Sequence, residues 1–368
     1  MRFLLVVPPL AGHVAPLLRV AAELSARGHA VAWCGPAPEV STLVAGRVFP
    51  AGESAPFAPE LRPAELRGFA ALKYLWESYL VPLADAMAPG VQAAVDAFAP
   101  DVVVADQQAM AGALVAARCG LPWATSASTS TELADPLGAL PKIASWVTDL
   151  QAGLRARHGV LLGDLRFSPH LVLAFTTRAL AGDARLAAPV SYVGPALPAG
   201  SGDWSGADGR PLVVVTLGTS NASAGARFLA ESVDALAGLP AVQGLVVDPA
   251  GDLISESVGL ARRIPQVAVF ARASVVVCHG GHNTVCEALA AGVPLVVAPI
   301  RDDQSMLAQQ VVAASAGVRL RFDRAKAADI RTAIEAAPAY APGAARIRES
   351  FTAAGGVAEA ATRLESLG

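Results

Sequence analysis

The chain is 368 residues long, 54% hydrophobic and 16% charged, with a formal net charge of −3. That length is ample for two domains and that composition for a large core, while the charge balance leaves no basic face for nucleic acid. No stretch reaches the ~18 uncharged apolar residues that a membrane-spanning helix requires.

Phe3 to Val7 reads as a buried first strand. Pro8-Pro9 cuts that run, and His13 and Arg19 follow at once, which argues against a secretory signal. Leu17 to Ala26 has the spacing of an amphipathic helix closed by Gly28, and Ala30 to Cys34 is a second strand. Residues 69–98 read as helical, with breaks expected at Pro82 and Pro89. Val102 to Ala105 is another buried strand, followed by a helix to Cys119 and a strand near Trp123. A helix around Ile143 to Arg157 and a strand from Leu171 to Phe175 complete this half. The alternation predicts βαβ units and a parallel sheet.

Residues 195–210 are dense in Pro, Gly, Ser and Asp and read as a linker. A second alternation follows: strand 212–217, helix 224–237, strand 242–247, strand Ser274 to Cys278, and strand Pro294 to Ala298. Helices near 304–316, 326–337 and 341–366 end the chain. The expectation is an N-terminal domain 1–197, a linker 198–211 and a C-terminal domain 212–368, each an α/β unit built on a doubly wound parallel sheet.

The densest chemistry lies in CHGGHNTVCEALAAGVPLVVAPIRDDQ, Cys278 to Gln304. Gly280 and Gly281 sit at a strand-to-helix turn, where a phosphate can approach free backbone N–H groups and a helix N-terminus. His279 is placed to donate to a phosphate oxygen. Asn283 and Thr284 are placed to assist, although either serves equally as an N-cap. Glu287, Asp303 and Gln304 supply the carboxylates and amide that hold sugar hydroxyls. Glu287 reads alternatively as a solvated helix position, and Asp303 as a cap for the helix near Ser305. The segment points to a diphosphate with a sugar at each end. Thr219, in a Leu-Gly-Thr turn after a strand, is a further phosphate candidate or a plain turn residue. In the N-terminal half, His13 and Asp106 each follow a strand, at the sheet edge where doubly wound folds gather ligands. A histidine can remove a proton from a hydroxyl, and a carboxylate on its other nitrogen fixes the tautomer.

HGGHNT…E…GVP…P…DDQ resembles the donor-binding signature of the UDP-glycosyltransferase superfamily. PPLAGHVAP (Pro8 to Pro16), VVVADQQAM (Val102 to Met110) and VVVTLGTS (Val213 to Ser220) agree in order. The resemblance spans nearly the whole chain and has a bacterial, antibiotic-type character. It implies the GT-B architecture, two Rossmann-like domains facing a cleft, with the last helix crossing back to the first. It implies an inverting transfer from a UDP- or dTDP-sugar to a lipophilic small-molecule acceptor, with His13 as base, Asp106 as its partner, and no metal or other cofactor. Gly12 and Gln266 join the donor set by the same resemblance. The chain departs from the pattern at Arg263, where many relatives carry a tryptophan against the nucleobase.

Three other classes meet parts of this pattern. A nucleotide-sugar epimerase shares the architecture but takes no aglycone. A nicotinamide oxidoreductase needs G-x-G-x-x-G after an early strand, and PPLAGHVAP has one glycine. A non-catalytic sugar-nucleotide-binding protein has no use for both His13 and Asp106. Cys34, Cys119, Cys278 and Cys286 form no C-x-x-C pair and read as small buried hydrophobes in a cytoplasmic protein. His29, His158, His170 and His282 receive no role. Trp33, Trp76, Trp123, Trp146 and Tyr79 are expected in the core. The Asp303-Gln304 pair favours a hydroxylated donor sugar.

Overall fold

A computed structural model describes residues 1–53, 63, 66, 68–135, 137–161, 163–198, 204–218, 222–301 and 303–368, with the side chains of 222–224 excepted. The described chain divides into two compact units. The first comprises Met1–Phe175, Asp183–Ala196 and Ala354–Gly368, and the second Thr176–Gly182 and Leu197–Ala353. Thr176–Gly182 joins the second unit, and the chain's end, Ala354–Gly368, joins the first.

The first unit holds β1 (Arg2–Val6), β2 (Ala30–Ala37), β3 (Val48–Glu53), β4 (Val102–Asp106), β5 (Trp123–Ala127), β6 (Leu171–Ala174) and β7 (Val190–Tyr192). They pair in the order β3-β2-β1-β4-β5-β6-β7, every pair parallel. The β1 side chains show why both faces must be covered. Leu4 and Val6 enter one core cluster, and Phe3, Leu5 and Val7 enter another on the opposite face. Helices feed both clusters. Gly112 lets one approach closely, since a Cβ there would lie 2.7 Å from Ala105 Cβ.

The second unit holds β8 (Leu212–Thr216), β9 (Gln243–Val247), β10 (Gly259–Ala261), β11 (Ala273–Cys278), β12 (Leu295–Val297) and β13 (Gly317–Arg319). Their order is β10-β9-β8-β11-β12-β13, again all parallel. Val213 and Val215 face one cluster while Leu212 and Val214 face the other. Each sheet reverses its winding once, between β1 and β4 and between β8 and β11. That switch is where a doubly wound sheet opens a crevice at its carboxyl edge.

Several local expectations are corrected. The first helix is Ala11–Ala26, so it starts six residues early and carries Pro16 inside it. Residues 68–98 stay helical through both prolines, as Gly68–Lys73, a π-helical Tyr74–Leu80 and Val81–Phe98. Pro82 sits just past the π-helical segment, and the buried face Leu80, Leu83, Met87 and Val91 holds the helix through both prolines. Residues 341–366 form two helices, Ala341–Ala353 and Gly356–Glu365, because Gly355 and Gly356 turn the chain with φ of 85° and 61°. The second packs Ala360, Ala361 and Leu364 among Leu17, Val20 and Leu24 of the first unit. There Glu365 accepts from Arg27 at 2.9 Å and lies 2.7 Å from His29 Nε2. Cys119 is exposed, whereas the other three cysteines are buried. Trp33, Trp76 and Trp123 are buried in the core, and Tyr79 and Trp146 pack half-buried against it. His158 also has a partner, Asp85 at 2.8 Å.

Candidate functional site

Two groups of residues stand at carboxyl edges, one in each unit. In the first unit, β1 passes through Pro8-Pro9 into the helix Ala11–Ala26, which carries Gly12 and His13 in its first turn. Asp106 ends β4, the neighbouring parallel strand. His13 Nδ1 lies 2.9 Å from Asp106 Oδ1. That oxygen also accepts the backbone N–H of Gln108 at 2.9 Å. Asp106 is buried, and its Oδ2 has no hydrogen-bond partner. A carboxylate fixed in this way aligns an imidazole and favours its positive form, leaving Nε2 as the nitrogen to exchange a proton.

Sequence reasoning missed two residues here, the first of them a neighbour of this pair. Ser128 lies one residue beyond β5 with its Oγ 2.7 Å from His13 Nδ1. Its position past a strand beside β4 was the only available signal. Arg166 is the second, bonded to Glu132 at 3.1 Å and to Asp164 at 2.6 Å. Its guanidinium stands 5.5 Å from the Trp76 ring centroid. Burial pushes the Glu132 carboxyl above its ordinary range, against the pull of Arg166. Burial also acts to raise Asp164, but the Arg166 bonds hold it low. Burial, with the charge of Asp106, pushes the Tyr79 phenol up.

In the second unit, β11 ends at Cys278 and the chain turns through His279, Gly280 and Gly281 into the helix His282–Ala290. Gly280 has φ of 89°, and a Cβ there would lie 2.9 Å from Val297 Cγ1 and 3.2 Å from the Gln304 carbonyl. Gly218 and Gly281 flank the His279 ring, and a Cβ on either would press into it. The imidazole is buried with Nδ1 unpartnered. Burial, assisted by the Arg301 charge, holds it down to about 4. The ring is therefore neutral at pH 7, beside a helix start whose N–H groups favour an anion.

The other donor candidates sort into two sets. Gln266 Nε2 donates to Glu287 Oε2 at 2.5 Å and reaches Thr284 Oγ1 at 3.5 Å, so these three are joined. Asn283 occupies the same helix start, half-buried. Gln304 Oε1 accepts the backbone N–H groups of Ile300 and Arg301, at 2.9 and 3.1 Å. This corrects the expectation of two free sugar-holding ends: its oxygen closes the loop, and the NH₂ is the end with hydrogens to offer. Asp303 stands at the N-cap of the helix Gln304–Ala313 but makes no side-chain capping bond, so the capping alternative is not realised. Thr219 lies outside the described residues. Arg263 is exposed. Among the described residues, no group of three His, Cys, Asp or Glu is placed to hold a metal ion, and no helix is long and apolar enough to cross a membrane.

The His279 environment has a measurable consequence. The unfolded chain takes up a proton at this ring near its ordinary 6.5, the folded chain only near 4. Between these values the unfolded state binds more protons, so stability falls as pH falls through that window. The loss should reach roughly 3 kcal/mol near pH 4 and be absent above pH 6.5. Urea midpoints of wild type and His279→Gln across pH 4–7 should converge on acidification. Parallel curves would show that the ring is not held neutral by burial.

Residues 247–367 match the C-terminal domain of the erythromycin biosynthesis protein CIII-like family. The 4'-demethylrebeccamycin synthase of Lentzea aerocolonigenes is 30% identical over an alignment covering 100% of this chain and 99% of that protein. The L-demethylnoviosyl transferase of Streptomyces niveus is 29% identical, with 91% and 89% covered. The solved structure of CalG4, the calicheamicin glycosyltransferase, superposes with a TM-score of 0.82 at 25% identity, covering 100% of this chain and 98% of that one. The whole-length relationship, the paired parallel sheets and the glycine turn after β11 place the chain in the UDP-glycosyltransferase superfamily, as a glycosyltransferase of the GT-B natural-product class.

Proposed function

We propose that this enzyme transfers a sugar, with inversion, from a nucleoside diphosphate donor to a hydroxyl of a lipophilic natural-product acceptor. The observation that carries the reading is the 2.9 Å His13–Asp106 contact at the switch point of the first sheet. His13 Nε2 removes the acceptor's proton as its oxygen attacks the anomeric carbon. The bond from that carbon to the diphosphate oxygen breaks, and the nucleotide leaves with the electron pair. Asp106 stabilises the imidazolium that forms. The helix start at residues 281–284 and the neutral N–H of His279 stabilise the charge that grows on the diphosphate. Gln266 and Glu287 would meet the nucleoside, and Asp303 and the Gln304 amide the sugar. The relatives' names support a natural-product acceptor for this chain. The helix start after β11 and the neutral, buried His279 beside it support a reaction that needs no divalent ion.

The test is a transfer assay with glucose and 2,6-dideoxy donors on both UDP and dTDP, against a panel of polycyclic and macrolide hydroxyls, with and without excess EDTA. Turnover should be undiminished by EDTA and higher for the hydroxylated sugar, whose hydroxyls can donate to Asp303 at ~1–3 kcal/mol per hydrogen bond. Turnover abolished by EDTA and restored by magnesium would place a metal on the leaving group. Equal rates for the two sugars would remove Asp303 from the sugar subsite.

A further inference from the structure

His13 Nδ1 has two oxygens in reach, Asp106 Oδ1 at 2.9 Å and Ser128 Oγ at 2.7 Å. An imidazole nitrogen carries at most one hydrogen. Were Ser128 to donate to a bare Nδ1, the carboxylate oxygen of Asp106 would face a lone pair with no hydrogen between them. Asp106 Oδ1 cannot turn away without cost, because it also holds the Gln108 N–H. The arrangement free of that repulsion puts the hydrogen on Nδ1 and makes both oxygens acceptors. The segment that carries Ser128 is fixed at both ends. Ser128 N–H donates to the Ser126 carbonyl at 3.1 Å at the end of β5, and four residues on, Glu132 is clamped by Arg166. Ser128 itself is buried, so water does not compete for its oxygen.

We propose that Ser128 is a positioning residue for transfer: its hydroxyl oxygen shares the Nδ1 hydrogen with Asp106 and so keeps the basic lone pair of His13 on Nε2. This rests on the reading of His13 as general base. Among the described residues, Tyr79 on the π-helical segment and Glu132 beyond β5 feel the charge of Asp106, and Arg166 is bonded to Glu132 and Asp164. None of these is altered by changing Ser128. The hydroxyl oxygen favours the protonated ring, so removing it disfavours the imidazolium and moves the acidic limb of the kcat/KM profile to lower pH.

The experiment compares wild type, Ser128→Ala, Ser128→Thr and His13→Ala in one transfer assay across pH 5–9. Ser128→Ala should lower kcat about 5-fold, the effect of one net hydrogen bond. It should move the acidic limb down by about half a unit to one unit, with donor KM unchanged. Ser128→Thr, which keeps the hydroxyl, should restore both. An unshifted profile for Ser128→Ala, an upward shift with faster turnover, or a loss that threonine does not restore would each overturn the proposal. His13→Ala separates the two readings. If it is inactive while Ser128→Ala behaves as wild type, only the role of Ser128 falls. If it is active, the general-base reading falls first.

Discussion

His13→Ala is expected to lower the transfer rate to a hydroxyl acceptor by about 10²–10⁴-fold, the usual contribution of a positioned general base. The acceptor hydroxyl is almost wholly protonated at neutral pH, and no other side chain among the described residues contacts Asp106 as a histidine does. The nucleotide-induced rise in melting temperature should be unchanged, because every residue read as meeting the donor, Gly12 apart, lies in the other unit. Asp106→Asn should cost less, since the base itself remains. Rates for the two variants, read beside their UDP- and dTDP-induced thermal shifts, check both statements. A His13→Ala enzyme with most of its activity would remove the base from the mechanism.

Gly280→Ala should damage the opposite partner in the reaction. At φ of 89° an alanine is strained by about 1–3 kcal/mol. Its Cβ would also press on Val297 Cγ1 at 2.9 Å and on the Gln304 carbonyl at 3.2 Å. Neither neighbour gives easily: Val297 is wholly buried in β12, and Gln304 holds the loop above it. The turn must move, and with it the N–H groups that would meet the diphosphate. Donor KM should rise about 10- to 100-fold, that strain expressed as affinity. The nucleotide thermal shift should fall correspondingly while the circular dichroism spectrum stays native. A variant that binds nucleotide as well as wild type would show that the turn does not hold the diphosphate.

Much of this arrangement was legible before any coordinates because it rests on local pattern. Runs such as Val102 to Ala105 and Val275 to Val277 can only be strands buried on both faces, and the glycines after β11 announce a close backbone approach. The edges were not legible. β10 and β13 have three residues each, and β3 carries Pro50 and Gly52, so none has a periodic signature. Pro82 and Pro89 read as breaks because the sequence does not say that packing holds a helix through both. The double glycine at 355–356 was visible but was read through as one helix. Ser128 escaped for another reason: its partner His13 is 115 positions away, and only the parallel order of β1, β4 and β5 brings the two together; Arg166 reaches Glu132 across 34 positions, between the end of β5 and the start of β6. The oxygen of Gln304 is committed to the backbone, which no spacing reveals.

The central claim is that His13 activates an acceptor hydroxyl for direct displacement at the anomeric carbon. The measurement closest to it is the anomeric configuration of the product, read from the one-bond carbon–hydrogen coupling after transfer from an α-linked, ¹³C1-labelled nucleotide-sugar. A single β-linked conjugate is expected, formed in step with nucleoside diphosphate release. An α-linked conjugate would contradict direct displacement, and a labelled sugar recovered as an epimer without any aglycone would contradict transfer itself.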